Sequence, residues 1–182
     1  MKSLANDWLP PGTAVLAVAA GPPAAAAAIA AGAGLIDLWD AGPETVAAFR
    51  ADHPGVPACA RADWAALVRD RALALRTGAI LICGDAAGAE QAEAAGIGRG
   101  SLLVQAPPAG VAGLLAAGWP VVVEADGTGA ADPQAAAAAG AIACWLGATA
   151  VRTQYVTAVR RAIDMTASIR GTRPVPRGCG PP

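Results

Sequence analysis

The chain has 182 residues, of which 55% are hydrophobic and 15% charged, and its formal net charge is −1. This length allows one domain with a substantial core, and the high apolar content excludes a disordered chain. The near-neutral charge argues against a general nucleic-acid surface, which would need a basic patch.

Two long stretches carry no charged residue, Thr13–Ile36 and Gly100–Val123. Their length alone would suit a membrane-spanning helix. Each, however, contains a Pro-Pro pair and has the pattern of a strand, a turn, a helix and another strand. The N-terminus lacks the compact apolar segment of a secretory signal peptide. We therefore predict a cytoplasmic protein without membrane spans.

The four cysteines are widely spaced, and the chain has a single histidine, His53. Zinc sites are usually built from clustered cysteine and histidine ligands. Cys59 and Cys83 lie in apolar strand-like runs, which is typical of buried thiols in a reduced protein. The sequence therefore predicts no metal site and no resident cofactor.

A short apolar strand followed by an alanine-rich helix recurs along the whole chain. The predicted strands are 13–19, 35–39, 56–60, 79–83, 101–105, 119–124 and 149–153. The predicted helices are 23–31, 43–51, 62–76, 87–95, 109–117, 133–147 and 156–170. Apolar strands that alternate with helices indicate a parallel sheet covered on both faces.

Seven such units predict an α/β fold, a shortened TIM-like (β/α) barrel with about seven parallel strands. A closed eight-unit barrel usually needs about 250 residues, so this chain is short for one. We assign residues 1–174 to the barrel and 175–182, which are rich in proline and glycine, to a flexible tail.

The most informative segment is the last predicted strand and helix, Ala148–Pro174, with the sequence ATAVRTQYVTAVRRAIDMTASIRGTRP. It resembles the closing unit of dihydropteroate synthases, the pterin-binding TIM barrels of folate synthesis. In that family the last strand ends in an Arg-x-His pair that meets the pyrophosphate of the pterin substrate. Arg152 matches this arginine, whereas Gln154 stands in place of the histidine.

Elsewhere the resemblance follows the order of the strands. Gly34–Asp37 resembles the family's second strand, Gly78–Ile82 the fourth, and Ala95–Leu103 the approach to the sixth. No segment matches the fifth strand and its helix. The resemblance therefore implies an eight-stranded barrel that has lost one unit.

The resemblance implies five substrate-binding candidates at the carboxyl ends of the strands, where β/α barrels build their active sites. Arg152 and Gln154 take the pyrophosphate position, and Asp37 matches an aspartate of the second strand. Asp85 lies near the family's Asn-Asp pair on the fourth strand, and Gln105 lies where the family has Asp-Pro-Gly. None of the five is identified as catalytic.

Other family positions are replaced. The first loop is Ala19–Pro23, without a polar side chain, and Glu124–Gly127 stands where the family has a Ser-Arg-Lys group. A pyrophosphate needs cations, backbone N–H groups or a metal around it. Glu124, Asp126 and Asp132 surround this loop, with only Arg152 as a candidate partner. The acidic loop therefore disfavours bare pyrophosphate, and Mg²⁺ is expected only where pyrophosphate is bound. Without a ligand the loop reads as solvated, with Asp132 as a helix N-cap.

Three functions are compatible with this pattern. The first is a dihydropteroate synthase-like protein that is catalytically compromised or inactive and is retained for binding a pterin-like molecule or for assembly. The second is an active synthase that joins hydroxymethyl-dihydropterin pyrophosphate to p-aminobenzoate. The third is a structural subunit that pairs with a full-length barrel through its incomplete edge.

A missing unit leaves either a gap or a closure with altered stagger. A seven-unit barrel that stays open would leave unpaired backbone groups, which natural proteins cover. We therefore predict a homo-oligomer or pairing with a related barrel. Trp119, Trp145 and Met165 are candidate anchors, because aromatic residues and methionine are enriched at interfaces. The alternative for each of them is packing between helix and strand in the core.

Overall fold

The computed structural model describes residues 12–38, 43–61, 79–127 and 132–172. Seven parallel strands in these ranges form a closed barrel in chain order. The strands are β1 Ala14–Val18, β2 Leu35–Asp37, β3 Ala58–Arg61, β4 Ile80–Cys83, β5 Leu102–Gln105, β6 Val121–Glu124 and β7 Ala150–Thr153. The predicted α/β fold, a TIM-like barrel with seven parallel strands, is therefore confirmed.

Six α-helices in the described ranges surround the barrel. They are α1 Pro22–Ala30, α2 Pro43–Asp52, α3 Ala86–Ala94, α4 Val111–Ala116, α5 Pro133–Leu146 and α6 Val156–Ile169. The predicted helix over 62–76 lies outside the described residues, as does the predicted tail. No helix in the described ranges is long and apolar enough to cross a membrane.

The barrel closes between its first and last strands. β7 pairs with β1 from Ala14 opposite Ala150 to Ala17 opposite Thr153. The described strands therefore leave no open edge, because each one has a neighbour on both sides. Of the two outcomes expected for a missing unit, a gap or a closure, the described strands show closure. Pairing with a partner through an open edge is therefore wrong for this barrel. A partner would have to bind another surface.

Alternate residues of the strands fill the inside of the barrel, as the two-residue period of a strand requires. The buried cluster they form is Ala14, Leu16, Leu35, Cys59, Ile80, Ile82, Leu103, Val122 and Ala150. The next inward positions on three strands are charged: Asp37, Glu124 and Arg152. The interior is therefore apolar up to its carboxyl end, where a charged layer begins.

The last two helices, α5 and α6, pack closely against each other. Gly140 of α5 lies against Val159 of α6, and a Cβ built on Gly140 would be only 2.8 Å from Val159 Cγ1. Glycine therefore permits this close approach, as it does wherever backbone must pack tightly.

The large apolar side chains that are most exposed in the described ranges all lie on this helix pair. They are Ile142, Trp145, Leu146, Met165 and Ile169, and we call them the α5–α6 face. Arg170 joins the ends of the two helices, since its Nη1 donates to the Cys144 carbonyl at 2.8 Å. Trp119, in contrast, is buried, so for this residue the core alternative is correct.

Candidate functional site

Three charged side chains meet at the carboxyl end of the barrel. Asp37 ends β2, Glu124 ends β6, and Arg152 is the third residue of β7. Each of them lies two residues beyond an apolar residue of the barrel interior, so the strand period turns all three inward. β7 lies beside β6, and only β1 separates it from β2. The closed strand order is therefore what brings these residues together.

Arg152 is bound by both carboxylates. Its Nε donates to Asp37 Oδ2 at 2.7 Å. Its Nη1 donates to Glu124 Oε1 at 2.8 Å and to Glu124 Oε2 at 2.6 Å. The Arg152 side chain is 8% exposed, that of Asp37 is 0% exposed, and that of Glu124 is 28% exposed. Asp37 is thus the buried partner of the arginine and Glu124 the outer one.

The electrostatics of this trio favour a charged arginine. Burial lowers the pKa of Arg152. The hydrogen bonds to Asp37 and Glu124 and the charges of these carboxylates together raise it by more, so the net direction is upward. A buried ion pair of this kind must offset the desolvation of its charges, and good hydrogen-bond geometry is what makes that offset work. The guanidinium is therefore engaged within the chain.

Asp37 depends on Arg152 for its hydrogen bonding. Its second oxygen, Oδ1, is buried and has no hydrogen-bond partner within the described residues. A buried polar atom without a partner costs free energy. Directly opposite on β3 lies Cys59, whose pKa is raised well above its ordinary value by burial and then by the charge of Asp37, while Arg152 lowers it. The interior below the charged layer thus disfavours further negative charge.

Asp126 organises the turn between β7 and α6. Its Oδ1 accepts a hydrogen bond from the Thr153 hydroxyl at 2.5 Å, and its Oδ2 accepts one from the Gln154 backbone N–H at 2.7 Å. The Thr153 hydroxyl oxygen in turn accepts from the Tyr155 N–H at 2.9 Å. The expectation of a solvated acidic loop is therefore wrong for Glu124 and Asp126, because both carboxylates bind the end of β7.

An open cavity of about 380 Å³ lies above Arg152. It is lined by Val18, Glu124, Asp126, Arg152 and Gln154. We call this cavity the barrel mouth. A second, mainly apolar groove of about 540 Å³ runs between α1 and the start of α6, and it shares Val18 and Gln154 with the mouth.

The structure brings some of the predicted site residues together and leaves others apart. Arg152 and Gln154 line the barrel mouth, and Asp37 is joined to it through Arg152. Asp85 caps α3, where its Oδ1 accepts from the Gly88 N–H at 2.8 Å. Gln105 ends β5 and is half-buried. Ligand binding by any of the five stays a prediction.

Two residues that bind at the mouth, Glu124 and Asp126, were not among the predicted site residues. The signal for them was present, because a Glu-x-Asp pair follows the strand next to the one that carries Arg152. In a parallel barrel the carboxyl ends of neighbouring strands lie side by side, so an acid and an arginine there should pair. Arg152 was the candidate partner of this acidic loop, and the structure shows its contact with Glu124.

The acids of the mouth give no metal cluster. Within residues 12–38, 43–61, 79–127 and 132–172, no group of three or more His, Cys, Asp or Glu side chains could hold a metal ion. Asp132, as predicted, is an N-cap, since its Oδ1 accepts from the Gln134 N–H at 2.9 Å. Mg²⁺ therefore stays an expectation that depends on bound pyrophosphate.

Comparisons with known proteins identify the fold. No protein-family model and no curated protein sequence matches the chain. Among solved structures, the Mycobacterium tuberculosis protein Rv1207 is similar, with a TM-score of 0.68 and 23% identity over 90% of this chain and 94% of that chain.

Two further similar structures are described as dihydropteroate synthases. The enzyme of Yersinia pestis has a TM-score of 0.69 and 18% identity over 88% of this chain and 93% of that chain. The enzyme of Coxiella burnetii, solved with pteroic acid, has a TM-score of 0.66 and 12% identity over 89% of this chain and 95% of that chain. The predicted resemblance to dihydropteroate synthases is confirmed for the fold.

Proposed function

We propose that this protein is a dihydropteroate synthase-like barrel that does not catalyse the synthase reaction and is retained for binding or assembly. The observation that carries this proposal is the engagement of Arg152. The resemblance assigns this arginine to pyrophosphate, yet in this chain its Nε and Nη1 bind Asp37 and Glu124.

The charge around Arg152 also opposes an anion. One guanidinium faces the carboxylates of Asp37 and Glu124, and Asp126 adds a third carboxylate to the mouth. Two like unit charges about 5 Å apart repel by roughly 3 kcal/mol at an effective dielectric constant of about 20. A pyrophosphate brings several charges, so this repulsion would have to be offset by another cation such as Mg²⁺.

An active synthase is the alternative, and the position of Arg152 favours it. The arginine lies next to the end of the last strand and lines the barrel mouth, where β/α barrels carry out their chemistry. In that case Arg152 would exchange Glu124 for the departing pyrophosphate of the pterin substrate, and Mg²⁺ would offset part of the added charge.

A turnover assay decides between these functions. The purified chain is incubated with hydroxymethyl-dihydropterin pyrophosphate, p-aminobenzoate and Mg²⁺, and dihydropteroate is quantified by chromatography. The Yersinia pestis enzyme serves as the positive control. We expect no product above the rate without protein. Turnover that survives further purification and follows the protein concentration would overturn the proposal.

A thermal-shift titration tests the binding part of the proposal. The pterin pyrophosphate with Mg²⁺ is compared with Mg²⁺ alone, because a ligand that binds only the folded state raises the melting temperature. A rise specific to the pterin compound indicates a retained binding site. An unchanged melting temperature leaves assembly as the retained function.

A further inference from the structure

We propose that Glu124 is the specificity-determining residue of the barrel mouth. Its carboxylate takes the position at Arg152 where a phosphate group would bind, and it thereby excludes phosphate-bearing ligands. This inference rests on the proposed function, because it gives the reason why the mouth does not accept the pyrophosphate of a synthase substrate.

The contact between Glu124 and Arg152 has the character of an anion bound to an arginine. Both carboxylate oxygens lie within hydrogen-bonding distance of Arg152 Nη1, at 2.8 and 2.6 Å. Carboxylates and phosphates make the same kind of short, charge-assisted hydrogen bonds to a guanidinium. An external phosphate would therefore compete with Glu124 for the same nitrogen.

Position distinguishes Glu124 from the other partner of the arginine. Glu124 and Arg152 both line the barrel mouth, whereas Asp37 is fully buried and is not part of its lining. Asp37 binds Nε, on the inner side of the guanidinium. Glu124 thus binds the arginine at the mouth, where a ligand would approach, while Asp37 binds it from the buried side.

The mouth has room for a small anion once this carboxylate no longer competes. Its volume of about 380 Å³ falls within the range of small-molecule sites. The Glu124 side chain is 28% exposed, so its replacement leaves no deeply buried gap. The strand register and the contact between Arg152 and Asp37 do not involve this side chain.

Calorimetric titration with inorganic pyrophosphate tests the inference on the wild type, Glu124→Gln and Glu124→Ala. The first variant removes the charge at constant size, and the second also empties the position. We expect at most weak binding to the wild type and an affinity at least roughly tenfold higher in both variants, because a charge-assisted contact becomes available to the ligand. Thermal unfolding confirms that each variant is folded.

Asp126→Asn is the matched control, since it removes the same charge from the same mouth. Asp126 binds Thr153 and the Gln154 backbone. We expect a clearly smaller gain than in the Glu124 variants. An equal gain in Asp126→Asn would overturn the inference in favour of a general charge effect. Folded Glu124 variants without any gain would overturn it as well.

The outcome is separable from that of the turnover assay. Synthase activity of the wild type contradicts the proposed function whatever the variants bind. An inactive wild type with Glu124 variants that do not gain affinity contradicts only the role of Glu124. Tight binding of pyrophosphate by the wild type contradicts the role of Glu124 directly, because its carboxylate would then not exclude the ligand.

Discussion

The barrel mouth and the α5–α6 face differ in whether their side chains bind partners within the chain. At the mouth, the charged groups bind one another: Arg152 holds Asp37 and Glu124, and Asp126 holds the start of α6. On the α5–α6 face, five large apolar side chains are between 38% and 72% exposed. Apart from the buried Asp37 Oδ1, which has no hydrogen-bond partner within the described residues, the charged groups of the mouth bind partners within the chain. The apolar side chains of the α5–α6 face are instead exposed to water.

This difference indicates at which of the two surfaces an additional molecule would gain the most binding free energy. A ligand at the mouth must displace an existing ion pair, while a partner on the α5–α6 face would bury apolar surface that is now exposed. Contiguous exposed apolar patches on soluble proteins often mark interaction sites. The sequence-based prediction of self-association, with Trp145 and Met165 as candidate anchors, therefore applies to this face, since the described strands leave no open edge.

The largest expected effect concerns the mouth. Arg152→Met should destabilise the protein by about 3–5 kcal/mol, because it leaves the buried Asp37 carboxylate without its partner. Urea unfolding followed by circular dichroism measures this loss. A double variant, Asp37→Leu with Arg152→Met, should recover much of it, because no unpaired buried charge then remains.

Arg99 provides the control for this prediction. It forms a bidentate pair with Glu93 at 2.8 and 3.0 Å and lies 4.0 Å from the centre of the Trp119 ring, but its side chain is 42% exposed. Exposed pairs of this kind contribute little because water solvates their charges. Arg99→Met should therefore cost much less than Arg152→Met. Equal losses would contradict the importance of burial at the mouth.

The sequence predicted the barrel because its signals are local. All seven predicted strands are present, with ends that differ by a few residues, since apolar runs between helices define them directly. The sequence allowed either a gap or a closure with altered stagger and could not decide between them, because the register between β7 and β1 depends on contacts between the two ends of the chain. The loss of one unit therefore gave no information on whether an edge remained.

The site was predicted in part for a similar reason. Arg152 and Asp37 were identified from their own positions in strands that resemble family strands. The contact between them joins residues that are 115 positions apart, and no local pattern encodes such a contact. Glu124 was visible as an acid in a place where the family has a base, with Arg152 as a candidate partner. The register of β6 and β7, which places Glu124 opposite Arg152, shows how the two meet.

The next largest expected effect concerns self-association through the α5–α6 face. Met165→Glu should weaken self-association by about 2 kcal/mol or more, a factor of roughly 30 in Kd, because a charge would be placed among apolar contacts. Light scattering over a dilution series measures the dissociation. Ala112→Glu, on the exposed surface of α4, adds the same charge elsewhere and should leave association unchanged. A wild type that is monomeric at high concentration would contradict this prediction.

The smallest effect concerns pH and the interior just below the mouth. Burial and the charge of Asp37 raise the pKa of Cys59 well above its ordinary value, although Arg152 lowers it. In the unfolded chain the thiol ionises near pH 8.5. Below that pH both states keep the proton, so Cys59 causes no pH dependence. Above it only the unfolded state loses the proton, and stability should fall by up to about 1.4 kcal/mol per pH unit.

Urea unfolding at pH 7.5, 8.5 and 9.5 measures this slope, and Cys59→Ala should make it shallower. Cys83→Ala is the matched control, because the pKa of Cys83 is raised less, by burial and then by Asp85, at a half-buried position. Its effect on the slope should be smaller than that of Cys59→Ala. Parallel pH profiles of the wild type and Cys59→Ala would show that the interior beneath Asp37 accepts a thiolate. The charges at the mouth would then not disfavour further negative charge, and the electrostatic part of the contrast with the apolar face would be contradicted.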